Sequence, residues 1–420
     1  MVKESLSPSQ IASGSLSGSQ VETLDAATVM TIDVPSHTWE PSACNTIKHI
    51  PKSARPSCAN HLAEILRRAA NQPEVEDNWW SLMNWPAAIL QLPKRGGKRR
   101  NVTNNIKSRI AGSTSATQPV VESKASPKKS MGAAISLAQA VCAKLEEGNI
   151  RAALRLLSSD DTIAAQSDET LASLRSKHPP ASQPVPNLIN IQVENLTVDQ
   201  NAVQKAVTSF PPGSAGGPDG LRPQQLKELV QCREAGAHLL AALTDFVNMI
   251  LAGRCPVAIA SVFFGGRLIA LSKKSGGIRP IAVGMTLRRL VSKCASTYGS
   301  EQLTSYLRPR QLGVGTPGGC EAAVHAARRY LQAMTDDHAV VKLDFSNAFN
   351  SLHRSDMLQA VKDRLPALLN YCYSSYVRPS KLFYGPHVVW SQEGPQQGDP
   401  LGPLLFSNTL QPLLLSCHQS

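Results

Sequence analysis

Leu268-Ile269-Ala270-Leu271-Ser272-Lys273-Lys274-Ser275-Gly276-Gly277-Ile278-Arg279-Pro280-Ile281 reads as a strand, a tight basic turn and a second strand. Two ammonium groups, Lys273 and Lys274, and the planar fork of Arg279 surround the Gly276-Gly277 turn, a set able to grip a triphosphate. A solvent-facing hairpin with a basic tip accounts for the same residues. On either side the texture alternates. Residues 267–271, 339–345 and 381–384 read as strands, and 286–305 and 355–364 as helices. Gly-Pro turns separate them and no internal repeat is visible. The fold class expected is α+β.

Upstream, the pattern is helical. Thr197-Val198-Asp199-Gln200 has the form of a capping box and opens a helix that ends near residue 209, before Pro211-Pro212-Gly213. Residues 134–145 form a helix closed by Gly148, residues 150–157 a second, and Ser167 caps a third that His178-Pro179-Pro180 terminates. This gives a helical segment at 131–185. In a further helical segment, 43–93, Leu62, Ile65 and Leu66 share one helical face, and Trp79, Trp80, Leu82, Met83, Trp85 and Leu90 supply a core. Residues 94–130 lie between the two. They carry Lys94, Arg95, Lys98, Arg99, Arg100, Lys107, Arg109, Lys124, Lys128 and Lys129 against Glu122 alone, spaced by Gly, Ser and Thr. This is expected to be a basic flexible linker. Contact with nucleic-acid phosphates, plain solvation and a localisation signal fit it equally. The Ser/Thr-rich residues 1–42 lack periodicity and are expected to be a disordered tail.

The composition agrees with a folded, basic protein. A chain of 420 residues suggests two to three folded units, and 42% hydrophobic residues exclude a wholly disordered one. The net charge of +12 favours polyanionic partners, nucleic acid first. Nine scattered cysteines, none two residues from another, argue against a disulfide framework and for a reducing compartment. No apolar signal segment opens the chain, and the best apolar run, 257–271, is broken by Gly265, Gly266 and Arg267. The expected location is intracellular, nucleus or cytoplasm, neither secreted nor membrane-bound. Cys44, His49, Cys58 and His61 match no usual zinc spacing.

Two further stretches carry candidate chemistry. In Ala339-Val340-Val341-Lys342-Leu343-Asp344-Phe345-Ser346-Asn347-Ala348-Phe349, a β-branched strand delivers Asp344 at its C-terminal end. There a carboxylate and a backbone carbonyl can hold Mg²⁺, or the carboxylate can cap the turn that follows. In Ser391-Gln392-Glu393-Gly394-Pro395-Gln396-Gln397-Gly398-Asp399-Pro400-Leu401-Gly402-Pro403-Leu404-Leu405-Phe406, a turn dense in Gly and Pro lets another backbone approach before an apolar helix begins.

Hairpin, strand-end Asp and Gly/Pro turn, in this order, resemble the reverse transcriptase of non-LTR (LINE-type) retrotransposons. Ser214-Ala215-Gly216-Gly217-Pro218-Asp219-Gly220-Leu221 is similar to the loop that opens the family's polymerase region. Gln311-Leu312-Gly313-Val314-Gly315-Thr316-Pro317-Gly318-Gly319-Cys320 is similar to the glycine-rich segment ahead of its catalytic strand. The resemblance runs from about residue 198 to the end and implies right-hand polymerase fingers and a partial palm over 196–420. Residues from about 49 onward resemble the region that precedes the polymerase.

The resemblance implies that Asp344 is the first metal-binding carboxylate, with the Phe345 carbonyl beside it. It implies that Phe349 is an aromatic steric gate under the incoming sugar; an ordinary core Phe is the other reading. Lys273 or Lys274 with Arg279 would grip the triphosphate, and Gln397 and Gly398 would line the nucleotide and template pocket. Implied partners are an RNA template, a DNA primer and deoxynucleoside triphosphates, with Mg²⁺ as cofactor; no protein partner is implied.

One departure weighs against activity. The family's aromatic-x-Asp-Asp turn does not occur after Pro400, and neither Asp160-Asp161 nor Asp336-Asp337, both ahead of Asp344 and in polar surroundings, replaces it. Asn350 stands where many relatives carry Asp. The expectation is an RNA-directed DNA polymerase by descent, cut within the palm, without its thumb and inactive as this chain. The alternatives are a non-enzymatic nucleic-acid-binding protein, or a non-functional transposon-derived product that leaves apolar surface at 401–415 uncovered.

Overall fold

A computed structural model describes residues 39–41, 45–92, 101–113, 133–146, 148–158, 162–188, 191–273, 276–335 and 337–417. The basic cluster Lys94, Arg95, Lys98, Arg99 and Arg100, Lys274 of the hairpin, Cys44 and residues 1–38 lie outside these.

Helices and strands are mixed, in keeping with the α+β expectation. Five strands form one sheet: β1 (Thr162–Ile163), β2 (Gly266–Ser272), β3 (Ile278–Gly284), β4 (Ser380–Tyr384) and β5 (His387–Ser391). β2 and β3 are antiparallel along their whole length, from Gly266 opposite Gly284 to Ser272 opposite Ile278. On its other edge β2 is parallel to β4 at Gly266 and Arg267, and antiparallel to β1 at Leu271 and Ser272. β4 and β5 form a second hairpin. Leu268, Ala270, Ala282, Leu382 and Val389 fill one small core with Leu171 and Leu174 of the helix Asp168–Ser176. The alternation of buried and partly exposed residues in β3 is what one covered face requires.

The larger core is continuous from Trp39 to Leu405. The helix Arg55–Asn71 packs on the helix Arg233–Leu251, placing Leu62, Ile65 and Leu66 inside, as their spacing predicts. Trp79 lies 5.7 Å from Phe246 and 5.3 Å from Phe263, ring to ring, and is fully buried. Truncating a side chain so placed costs about 3–5 kcal/mol. Residues 45–92 therefore share their core with the downstream helices.

The Ser167 cap holds, whereas the helix expected to open on a capping box at 197–200 is capped by Asp199 instead. Ser167 Oγ accepts the Thr170 N–H at 3.2 Å, and Asp199 Oδ1 accepts the Ala202 N–H at 2.7 Å. Each satisfies an N–H that the first helical turn leaves open.

Three expectations are corrected. Residues 339–345 form no strand: they are irregular and exposed, Val341 by 77% and Leu343 by 78%. A strand needs an edge to pair with, and no described strand borders this one. Within the expected linker, Val102–Ser113 is a helix that buries Ile106, and Arg109 donates to the Ile89 and Gln91 carbonyls. Finally, 401–415 is not uncovered: Leu401, Leu404 and Leu405 are fully buried, and Leu413 is exposed. The helix Gly402–Ser416 packs its apolar side on the helices Thr286–Leu307 and Arg354–Arg364.

Candidate nucleotide and nucleic-acid site

The basic hairpin forms as its sequence predicts. Lys273 N–H donates to the Gly277 carbonyl and Gly276 N–H to the Lys273 carbonyl, both at 3.0 Å. Gly276 and Gly277 have φ of 84° and 82°, a region costly to side chains with a Cβ. Lys273 is exposed at the tip, and Arg279 sits opposite Leu271 on β3.

The Gly/Pro turn docks on the outer edge of β3. The Gln397 carbonyl accepts the Ala282 N–H at 2.8 Å, taking a place that a further strand would otherwise fill. Gly398 follows with φ 131°, so close that a Cβ would stand 2.3 Å from the Ala282 carbonyl oxygen. Side chains on the turn then divide. Gln397 is half-buried and Gly398 exposed on the hairpin side, while Gln396 and Asp399 turn inward and are buried.

Inside, Arg288 organises the turn. Its Nη2 donates to Asp399 Oδ2 at 2.9 Å, and its Nη1 to Gln396 Oε1 and to the Phe264 carbonyl. Gln396 Nε2 donates to the Phe264 carbonyl at 2.8 Å and Ser380 Oγ at 2.7 Å. Tyr376 OH donates to Asp399 Oδ2 at 2.6 Å, and Leu401 N–H to Asp399 Oδ1 at 3.0 Å. Burial is the largest influence and works against the Arg288 charge, but the Asp399 carboxylate together with Tyr376 and Tyr371 outweighs it and raises the guanidinium pKa. Burial, reinforced by Asp399, holds the Tyr376 phenol well above its usual range, so it remains a donor. A guanidinium fork meeting a carboxylate and an amide in a buried space fixes backbone position, not only charge.

Phe349 reaches the same place from the other side. Its ring stacks on Phe406 at 5.2 Å and 12°, and a Cβ on Gly402 would be 3.3 Å from Phe349 Cε1. Its carbonyl oxygen would stand 1.7 Å from a Cβ on Gly394, whose φ is 55°. Asn350 is buried and Nδ2 donates to the Lys177 carbonyl at 2.9 Å, as does Asn347 Nδ2. A carboxylate at 350 could not make that bond, so the amide has a reason of its own here.

Asp344 is placed differently. It is exposed on the irregular segment, and the adjoining Phe345 is 56% exposed. Among the described residues no three His, Cys, Asp or Glu side chains gather in a metal-holding group. Hairpin, bend and Phe349 are thus joined through β3 and Gly394, whereas no hydrogen bond or ion pair ties Asp344 to them among the described residues. Of the four residues with an unusual zinc spacing, Cys58 is buried, and burial followed by Cys232 pushes its thiol up to about 12. His61 accepts from Trp85 Nε1 at 3.0 Å through Nδ1, and its Nε2 faces Ser113 Oγ at 3.0 Å.

The sequence reading missed Arg288, Tyr376 and the Glu393 clasp. Glu393 accepts from Ser182 N–H at 2.9 Å, Ser182 Oγ at 3.0 Å and Arg354 N–H at 3.0 Å. Burial alone would raise its pKa, but these donors together with His353 lower it. A signal for Arg288 was present. It shares a helical face with Val291, Ser292 and Ala295, all buried, so it had to be a charge turned into the core.

No family model matches the chain. It is similar to the Retrovirus-related Pol polyprotein from type-2 retrotransposable element R2DM of Drosophila melanogaster, with 26% identity over 217 residues, 48% of this chain and 19% of that protein. The chain thus spans about a fifth of the length of that curated relative. Among the described residues no helix is long and apolar enough to cross a membrane.

Proposed function

We propose that the chain is a reverse-transcriptase-derived module that holds a nucleoside triphosphate and nucleic acid between its basic hairpin and its Gln397 bend. The observation carrying this reading is the Ala282–Gln397 bond, which makes two separately recognised motifs one piece of structure. Lys273 and Arg279 would neutralise phosphate charge, and Gln397 and Gly398 would present a flat, partly backbone surface to a base or sugar. Phe349, packed beside the bend, would bound the sugar. Its stacking on Phe406 supports a core role equally, and substitution separates the two. The similarity to a retrotransposon Pol polyprotein supports the same descent.

DNA synthesis by this chain is not part of the proposal. Two catalytic Mg²⁺ ions sit about 3.5–4 Å apart and share bridging carboxylates. Asp344, exposed and in no group of three potential metal ligands among the described residues, does not fit that requirement, and no phosphoryl-transfer step follows from it.

The test has two arms. In filter binding, the full chain should bind single-stranded RNA with an affinity that falls steeply with salt, and Lys273→Gln with Arg279→Gln should lower the slope. In primer extension on an RNA template with Mg²⁺ and deoxynucleotides, no incorporation is expected. Incorporation that Asp344→Ala abolishes would overturn the non-catalytic part, and absence of RNA binding would overturn the whole.

A further inference from the structure

Away from hairpin and bend, a cavity of about 130 Å³ opens where the N-terminal segment meets the loop before the helix Pro223–Val230. Its wall carries Lys48, His49 and Arg222, with Gln224 and Ser214 as neutral polar groups and Glu146 as the acid. Neither Lys48 nor Arg222 is in an ion pair among the described residues. His49 is oriented by its Nδ1, 2.6 Å from Glu228 Oε1, so Nε2 is the ring nitrogen left for a ligand. Glu228 itself is buried and does not line the cavity. It also accepts the Ile50 N–H at 2.8 Å and Gln224 Nε2 at 3.2 Å, and pairs with Arg55 at 3.4 Å. Arg55 offsets its charge, which leaves Lys48 and Arg222 as the cations facing the cavity.

The floor is pinned as well. Lys144 Nζ donates to the Gly213 carbonyl and Asn149 Nδ2 to the Pro212 carbonyl, both at 2.6 Å. Two permanent cations and an imidazole against one carboxylate, in a concave space, concentrate field on an oxyanion. The space admits one tetrahedral oxyanion with several waters beside it.

We propose that this cavity binds a phosphate group, through Arg222 as a fork and Lys48 as a point charge. The site is independent of the function proposed above. Its loop runs on to Gly217, where a Cβ would meet Met285 Cα at 2.5 Å, so occupancy would brace the backbone at the end of β3. Free phosphate and the phosphodiester of a nucleic-acid strand present the same chemistry, and two arms tell them apart.

The full chain is melted in inorganic phosphate and in chloride at matched ionic strength, and titrated with a twelve-nucleotide single-stranded RNA. Variants are Lys48→Gln with Arg222→Gln, and Glu146→Gln. A phosphate-specific rise in Tm, lost in the double variant and enlarged in Glu146→Gln, supports the site with free phosphate as ligand. RNA binding that weakens in the double variant, its salt slope falling by about 0.7 per cation removed, and tightens in Glu146→Gln, supports it with a phosphodiester as ligand. The gain in Glu146→Gln is one that misfolding does not produce. If both variants match wild type in both arms, the proposal is overturned. RNA binding that is normal in both variants, with no phosphate effect, sinks this site and leaves the hairpin reading standing. Phosphate binding without any RNA binding does the reverse.

Discussion

The Gly/Pro bend at 393–401 and the segment 339–346 are equally conspicuous in the sequence, and the fold treats them in opposite ways. The bend is buried on its inner side by Arg288, Tyr376 and Ser380, and its outer backbone is bonded to β3. The other segment has the more strand-like composition of the two, yet it is exposed and irregular. The difference lies in the source of the partners. Every group the bend needs comes from described elements packed around it: Phe264, the helix Thr286–Leu307, Tyr376 and β4. A strand cannot supply its own hydrogen-bonding partner, so β-propensity without an edge leaves the chain open.

The largest effect that would break this contrast concerns Arg288. Arg288→Met should leave the Asp399 carboxylate, the Gln396 amide and the Phe264 carbonyl short of a donor in a buried space, and cost about 3–5 kcal/mol in urea unfolding. Arg288→Lys should recover little, because one ammonium cannot serve positions that two Nη groups reach. A loss under about 1 kcal/mol would mean that the bend is held by its backbone alone.

Next in size is Asp219, in the Gly-Gly-Pro-Asp-Gly loop. Its carboxyl is buried, with Oδ1 lacking a partner among the described residues. Burial pushes its pKa up to about 7, against the pull of Arg289, the local N–H groups and Arg267. A folded pKa above the unfolded value of 3.8 means that the group's stabilising contribution is complete in acid and lost as pH rises towards about 7. Wild type minus Asp219→Asn, measured by Tm across that window, should therefore fall as pH rises. A flat difference would place the charge elsewhere.

Gly398→Ala should cost about 1–3 kcal/mol, since φ 131° is glycine's territory and the added methyl would meet the Ala282 carbonyl. Exchange of the Ala282 amide should speed up with it. If the amide stays slow, the turn has shifted without releasing β3.

Legibility in the sequence follows the range of the interactions. The hairpin, the Ser167 cap and the helices at 200–208 and 286–307 rest on neighbours a few residues away, and their patterns were readable. The placement of Gln397 beside β3 spans more than a hundred positions and came from motif order, not from local pattern. Arg288, Glu393 and Ser182 act across distances of 24 to 211 residues in the chain, and no local pattern names their partners. The strand at 339–345 failed for the complementary reason: its local pattern was right and its long-range partner is not among the described strands. Of the candidate site, the Gln397 carbonyl is bonded to β3 at Ala282 and Phe349 packs on Gly394 and Gly402. Asp344 is the residue whose neighbours the sequence could not provide.

The smallest effect is the most discriminating. If the segment 339–346 is as open as the fold shows, Asp344→Ala should change stability by no more than about 0.5 kcal/mol, the range of surface substitutions with no partner to lose. Leu343→Ser should be equally mild, although the same change at the buried Leu405 would remove a packed side chain worth about 2–5 kcal/mol. Amides at 340–345 should exchange within seconds while that of Ala282 is protected. Mg²⁺ at millimolar concentration should leave both patterns unchanged, since a lone exposed carboxylate gives a hard cation too few ligands to displace its water. A large loss on Asp344→Ala, or Mg²⁺-dependent protection of 340–345, would show that this carboxylate has company. The contrast between the bend and the segment would then be one of conditions and not of sequence.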